Sequence, residues 1–403
     1  MDNAQFAELA SWITHAGLAG QDETATLTGF CERLNALGAQ LARANIVIDT
    51  LHPVYQGRAF TWKRRTQQTA LTEFGRSDQR SDLWERSPFY NLEVSGEPQL
   101  RRRLSAATAG EFSLFADLLG DGMTDYLAIA NRFSAEVAIG DLDCVYSSWA
   151  TDASGGFTEA DIANLTRLAP IIALTMKSAS LTRIANTLAE TYLGRDAGRK
   201  VLEGRIQRGV ADRIEAVLWF SDLRNYTRIS DAAEPELIIP LLNEYAEAIL
   251  SAIHAHGGDV LKLMGDGTLA IFPADDRASA CRAALAAAAA ARRAVAVANH
   301  RRAAKSLPTT DMYLGLHVGE VFYGNIGSRE RLDFTVVGPA VNEVSRIANM
   351  CRSVDQPMLV SSPFAAAIGE PNGLLVSVGR YALRGVARPQ ELFTLDQEPD
   401  VPE

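Results

Sequence analysis

Asp222, in Phe220-Ser221-Asp222-Leu223, and Asp266, in Met264-Gly265-Asp266-Gly267, are of the residue type and in the setting to do chemistry. The apolar run Ile214 to Phe220 reads as a strand that delivers Asp222 at its end. Val260 to Leu263 and Leu269 to Phe272 read as two further strands around the tight turn Gly265-Asp266-Gly267. Adjacent strands of one sheet would bring the two carboxylates together at its edge. Two close carboxylates repel and are costly unless a cation sits between them. Hard oxygen ligands at a strand end suit Mg²⁺ or Mn²⁺, which keep waters and add substrate phosphates to their shell. Taken singly, Asp222 has the role of capping the following helix open to it, and Asp266 that of a turn residue. Together, in this order, they favour a metal.

Other residues carry less by themselves. Lys262 lies on the strand that enters the Asp266 turn, where a lysine commonly serves solubility. Asn342 and Arg346 are four apart and share one face of a helix. Arg there can hold phosphate charge and Asn can orient a sugar, or the face is simply solvated. Gly315, Gly319, Gly324 and Gly327 read as hairpin glycines. No GxxxxGK[ST] phosphate loop exists, and Gly257-Gly258-Asp259 lacks the Glu-Phe that would complete a diguanylate cyclase signature. His254 and His256 are two apart near a helix end and make poor co-ligands. Arg64-Arg65 and Arg101-Arg102-Arg103 read as solvated basic surface.

The elements that must position these residues fall into two halves. A chain of 403 residues implies two or three domains. Residues 26–42 have helical periodicity; Ile46 to Ile48, Ala59 to Trp62, Tyr126 to Ala130 and Leu142 to Trp149 read as strands. Thr158 starts a helix, with Asp161 three residues later, and Pro170 is expected to kink it. Residues 177–213 read as an interrupted helical connector. The second half runs strand, helix from Leu237 to Ile253, two strands around Asp266, an Ala-rich helix over about residues 277–305, a hairpin from Met312 to Asn325 turning near Gly319-Glu320, a strand from Phe334 to Val337, and a helix from Ala340 to Cys351. This is β-α-β-β-α-β, the ferredoxin-like arrangement with helices on one face of an antiparallel sheet.

Composition narrows the class. With 47% hydrophobic and 22% charged residues the chain is globular, neither collagenous nor disordered. Its net charge of −10 argues against a protein that coats nucleic acid. The four cysteines are scattered without zinc spacing, which fits a reducing compartment. The N-terminus has no secretion signal, and the apolar run at residues 283–298 is broken by Arg292 and Arg293, so no membrane span and a cytoplasmic location are expected.

Three stretches, in order, resemble the motifs of class III nucleotide cyclases: Phe220 to Thr227, Lys262 to Gly267, and Phe334 to Arg346. The resemblance covers about residues 211–395. It implies that Asp222 and Asp266, with the Leu223 carbonyl, bind two divalent metal ions, Mg²⁺ or Mn²⁺. It also implies attack of a ribose 3′-hydroxyl on the α-phosphate, with Asn342 orienting the ribose and Arg346 stabilising the charge that develops. Lys262 is similar to the adenine-recognising lysine of the family, and Thr335 to the Thr of class IIIb members. A cationic donor facing adenine N1 and a hydroxyl accepting from its amino group imply ATP as substrate. Arg384 resembles a late triphosphate-binding lysine. Asn225 departs from the family where many members have Gly, although Asn tolerates left-handed backbone; Pro339 and Glu343 are departures within the third motif.

Family sites form between two catalytic domains, so one domain per chain implies a homodimer with active sites at the subunit interface. The first half resembles a GAF-type sensor through Phe157-Thr158-Glu159-Ala160-Asp161 and its closing helix, with a dimerisation domain as the other reading. The expectation is an α+β chain: a GAF-like α/β sensor or dimerisation domain at 1–180, a helical connector at 181–210 and a cyclase domain at 211–398. Its activity would be conversion of ATP to 3′,5′-cyclic AMP and pyrophosphate, with a small-molecule regulator at the N-terminal domain. The alternatives are a cyclase for GTP or a pyrimidine nucleotide, and a degenerate nucleotide-binding module.

Overall fold

A computed structural model describes residues 1–76, 82–133, 139, 140, 142–369, 374–386 and 388–395; positions 396–398, at the end of the expected catalytic domain, lie outside the described residues. The chain divides into two units, Met1–Leu188 and Ala189–Glu403.

The first unit opens with helices α1 (Asn3–Leu18) and α2 (Glu23–Ala36), then strands β1 (Leu41–Asp49), β2 (Tyr55–Lys63) and β3 (Gln68–Gly75). Helices α3 (Asp82–Glu85) and α4 (Pro88–Ser95), strand β4 (Gln99–Arg103), helix α5 (Ser113–Gly120), strands β5 (Asp125–Arg132) and β6 (Cys144–Thr151) and helix α6 (Glu159–Leu193) follow. The six strands form one antiparallel sheet in the order β3-β2-β1-β6-β5-β4. One face is buried by α1, α2 and α6 through Ile13, Phe30, Leu168 and Ile172; the other by α4 and α5 through Phe89, Leu92 and Phe115.

Two sequence expectations are corrected here. The helical pattern over 26–42 stops at Ala36, because Gly38 takes φ +89° and the Asn35 side chain bonds both backbone groups of Leu41, turning the chain into β1. The Arg101-Arg103 cluster is not a free basic surface. Arg101 pairs with the fully buried Asp125 at 3.0 Å and with Glu159 at 2.7 Å, and Arg102 pairs with Glu111 at 2.8 Å. The start of α6 is built as its sequence suggests: the Thr158 hydroxyl donates to Asp161 at 2.7 Å and accepts from the Asp161 amide at 3.1 Å.

The second unit contains helix α7 (Arg195–Leu202), strand β7 (Ala211–Leu223), helices α8 (Tyr226–Ala232) and α9 (Pro235–Ala255), strands β8 (Asp259–Met264) and β9 (Gly267–Pro273), and helix α10 (Arg277–Ala303). Then come β10 (Met312–Gly327), β11 (Leu332–Val337), α11 (Pro339–Ser353), β12 (Met358–Ser361), α12 (Ser362–Ile368), β13 (Leu375–Tyr381) and β14 (Gln390–Leu395). The sheet order is β13-β14-β12-β10-β7-β9-β8, with β11 paired to β10. Among β7 to β10 this is the βαββαβ order, and their pairings are all antiparallel. Alternation along β7 sorts the cores: Val217 and Trp219 meet α9, α10 and α12, while Ala216 and Leu218 face α7 and α11. The crossover helices share one face as expected. The opposite face is covered as well, which the expectation of helices on one face did not include. The connector also ends differently: α7 adds Ala197 and Val201 to the core of this unit, and Asp259 accepts from the Arg195 and Asp196 amides at 3.0 and 3.2 Å.

The expected hairpin at Gly319-Glu320 does not exist. β10 runs unbroken for 16 residues, and the turn lies beyond Gly327, which takes φ +143°. Gly315, Gly319 and Gly324 make room instead. A Cβ on Gly315 would sit 2.7 Å from the Ala348 amide nitrogen, one on Gly319 would sit 3.0 Å from the Ala340 Cβ, and one on Gly324 would meet the Val210 carbonyl at 2.2 Å. Helix α11 therefore lies almost backbone to backbone on β10. Gly315→Ala is expected to destabilise the chain by about 1–3 kcal/mol, because backbone has to move to admit the methyl. Chemical denaturation checks this, and an unchanged midpoint would refute the close seat of α11. The four cysteines are buried and free of disulfides, and no helix among the described residues is long and apolar enough to cross a membrane.

Candidate active site

Asp222 is the next-to-last residue of β7, and Asp266 is the second residue of the β8–β9 turn. Gly265, at φ +67°, makes that two-residue turn possible. Ser221 pairs with Thr268, so the turn lies directly beside Asp222. The Leu223 amide donates to Asp266 Oδ2 at 3.3 Å. The Asp222 carboxyl is pushed up to about 7, first by lost hydration and then by the hydrogen bond and charge of Asp266, with the Leu223 amide acting in the opposite sense. Among the described residues no cluster of three or more His, Cys, Asp or Glu side chains could hold a metal ion. Two crowded acidic groups with no third acid fit a hard dication that takes the rest of its shell from water and phosphate. Asp222 caps no helix: the residue at the start of α8 is Asn225, at φ +58°, so the left-handed backbone that the sequence allowed is adopted.

A second group lies on β8, β11 and α11. The Lys262 ammonium pairs with Asp333 Oδ2 at 2.6 Å, both side chains being 44% exposed and so open to exchange partners. Asp333 and Thr335 are two apart on β11 and share a face, opposite Ile326 and Gly324 of β10. Asp333 was not picked out in the sequence, although its i−2 spacing from Thr335 was a usable signal once β11 was placed. The Thr335 hydroxyl and the Asn342 amide make no side-chain hydrogen bond among the described residues. Asn342 is exposed and Arg346 half-buried on α11. The Arg346 guanidinium reaches the turn that carries Arg384, since a Cβ on Gly385 would lie 3.9 Å from Arg346 Nη2. Neither arginine is ion-paired among the described residues. The geometry therefore collects two sets: Asp222 with Asp266 and Leu223, and Lys262 with Asp333 and Thr335. Arg346 and the Arg384 turn form a third, cationic neighbourhood. No hydrogen bond or ion pair joins the acidic set to Asn342 or Arg346 among the described residues.

Residues 210–396 match the family model described as the adenylate and guanylate cyclase catalytic domain. This segment is a class III nucleotide cyclase catalytic domain. An uncharacterized protein of Mycobacterium tuberculosis is 33% identical over 210 residues, covering 52% of this chain and 36% of the relative. Adenylate cyclase 1 of Rhizobium meliloti is 29% identical over 214 residues, covering 49% of this chain and 32% of the relative. The match to the cyclase domain thus spans about a third of the length of these curated relatives. Among solved structures, the adenylyl cyclase CyaB from P. aeruginosa is 23% identical, covering 48% of this chain and all of that one, with a TM-score of 0.44.

Proposed function

We propose that the cyclase domain converts ATP to 3′,5′-cyclic AMP and pyrophosphate. The observation that carries this reading is the convergence of Asp222 and Asp266 at one sheet edge, with the Asp222 carboxyl held far above its ordinary value. Class III cyclases generally use two divalent metal ions, and the paired acids fit them. Asp222, Asp266 and the Leu223 carbonyl would hold the ions, which when bound favour ionisation of the ribose 3′-hydroxyl and offset phosphate charge.

The remaining residues bind and orient. Adenine presents an acceptor at N1 and a donor at its amino group. Lys262 supplies the donor; the Thr335 hydroxyl and the Asp333 carboxylate supply acceptors on the same face of β11. Guanine presents an acceptor and a donor in the reverse places and would meet this set badly. The Asn342 amide is open to a ribose oxygen, and Arg346 with Arg384 offers charge to the phosphates as the bond to the β-phosphate breaks. The name of the Rhizobium relative supports the choice of ATP. Phe322 and Val337, paired across β10 and β11, are 49% and 41% exposed, which supports a second copy covering them and completing the site. For the first unit, a six-stranded antiparallel sheet with helices on both faces supports a GAF-like sensor.

The test is a product assay on purified chain with ATP, GTP, CTP and UTP, each with Mg²⁺ and with Mn²⁺. Cyclic AMP is expected, with ATP preferred by about tenfold or more in kcat/KM. Equal or better use of another nucleotide would overturn the base assignment. ATP binding without any cyclic product would favour a binding module.

A further inference from the structure

Gly315, His317 and Gly319 occupy alternate positions of β10 and so share the face on which α11 lies. The two glycines admit Ala348, Val344 and Ala340 at backbone range. His317 stands between them, 5% exposed, with its Nδ1 2.8 Å from the Ser361 hydroxyl and 3.9 Å from Glu343 Oε1. The Glu343 side chain is itself only 16% exposed. Val344 and Ile347 bury α11 in apolar clusters beside this glycine track. The buried carboxyl against a buried imidazole adds a polar constraint on how the helix is rotated, because either group moved away from its polar neighbour would be left in an apolar surrounding.

We infer that Glu343 is a positioning residue: its buried contact with His317 sets how α11 is rotated on β10, and so where Asn342 and Arg346 point. Burial disfavours the charged form of each group. It lowers the His317 imidazole to about 4 and raises the Glu343 carboxyl above its ordinary value. From the other elements packed here, β12 contributes the Ser361 hydroxyl and β7 contributes apolar Leu218 opposite His317. The inference deepens the proposed function and, in its activity arm, rests on it.

The experiment uses the full-length chain with Glu343→Ala, Glu343→Gln and Asn342→Ala, alone and combined, read by hydrogen exchange of the α11 amides and by steady-state kinetics with ATP. Glu343→Ala is expected to speed exchange across α11 by about tenfold. It is expected to lower kcat by about ten- to a hundredfold, with KM changed by less than about threefold. Glu343→Gln, which keeps the polar contact, retains most of both. In the Asn342→Ala background the further loss of kcat on adding Glu343→Ala is expected to be smaller than in the parent chain, because part of the effect passes through Asn342 and the rest through Arg346. Fully additive losses, or unchanged α11 exchange in a folded Glu343→Ala protein, would overturn the inference. If the parent chain makes no cyclic product, the proposed function fails while the exchange arm still decides whether Glu343 holds α11.

Discussion

Asp222→Ala or Asp266→Ala is expected to lower cyclic AMP formation by about a thousandfold or more, since loss of a metal ligand removes several kcal/mol of charge stabilisation from the reaction. Folding should survive. The two acids crowd each other at an exposed sheet edge, so removing either relieves repulsion without opening the core. A thermal scan separates this outcome from unfolding. The same crowding makes a signed prediction for metal-free protein. Asp222 titrates at about 7 in the fold against an ordinary 3.8, so the folded chain holds a proton that the unfolded chain releases. The associated stability is fully present below the unfolded value and is lost as pH rises through about 7. Asp222→Asn should flatten that part of the metal-free profile. Added Mg²⁺ should raise stability at the upper end in the parent chain and not in the variant. Full activity in either Ala variant, or a profile indifferent to Asp222→Asn, would remove the metal assignment.

Mixing two inactive chains should restore activity. Asp266→Ala lacks the acidic set, and Arg346→Ala lacks the cation that meets phosphate charge. Within one chain no hydrogen bond or ion pair connects these sets among the described residues. If a symmetric pair assembles each site from both copies, half of the randomly mixed dimers are heterodimers with one intact site of two. The recovered rate is then about a quarter of the parent's. Co-expression of differently tagged chains, followed by a product assay on the purified heterodimer, reads this directly, with about half of the parent's rate expected there. A heterodimer as inactive as either parent variant would show that each chain builds its site alone.

Much of the candidate site was legible in sequence because its residues sit at punctuation. Asp222 closes an apolar run, Asp266 sits between two glycines, and Asn342 and Arg346 keep helical spacing, so local rules alone place them at a strand end, a turn and a helix face. Asn225 was legible too, since few residues other than Gly take the left-handed backbone it adopts. What local rules misjudged was glycine. Gly319 carries the same letter whether it turns a chain or clears space for a neighbour, and only the helix lying on it shows which. Asp333 has no local signature; it becomes visible when β8 approaches β11 and Lys262 finds it. The Arg101-Arg103 run looked like surface because its acid, Asp125, arrives from another strand. The sequence by itself determined the elements that carry the site residues and the strand-end, turn and helix-face settings of Asp222, Asp266, Asn342 and Arg346, because these depend on neighbours a few residues away. The tertiary structure alone decided that α11 rests on a glycine track and that Glu343 meets His317, because these contacts join residues more than 20 positions apart in sequence.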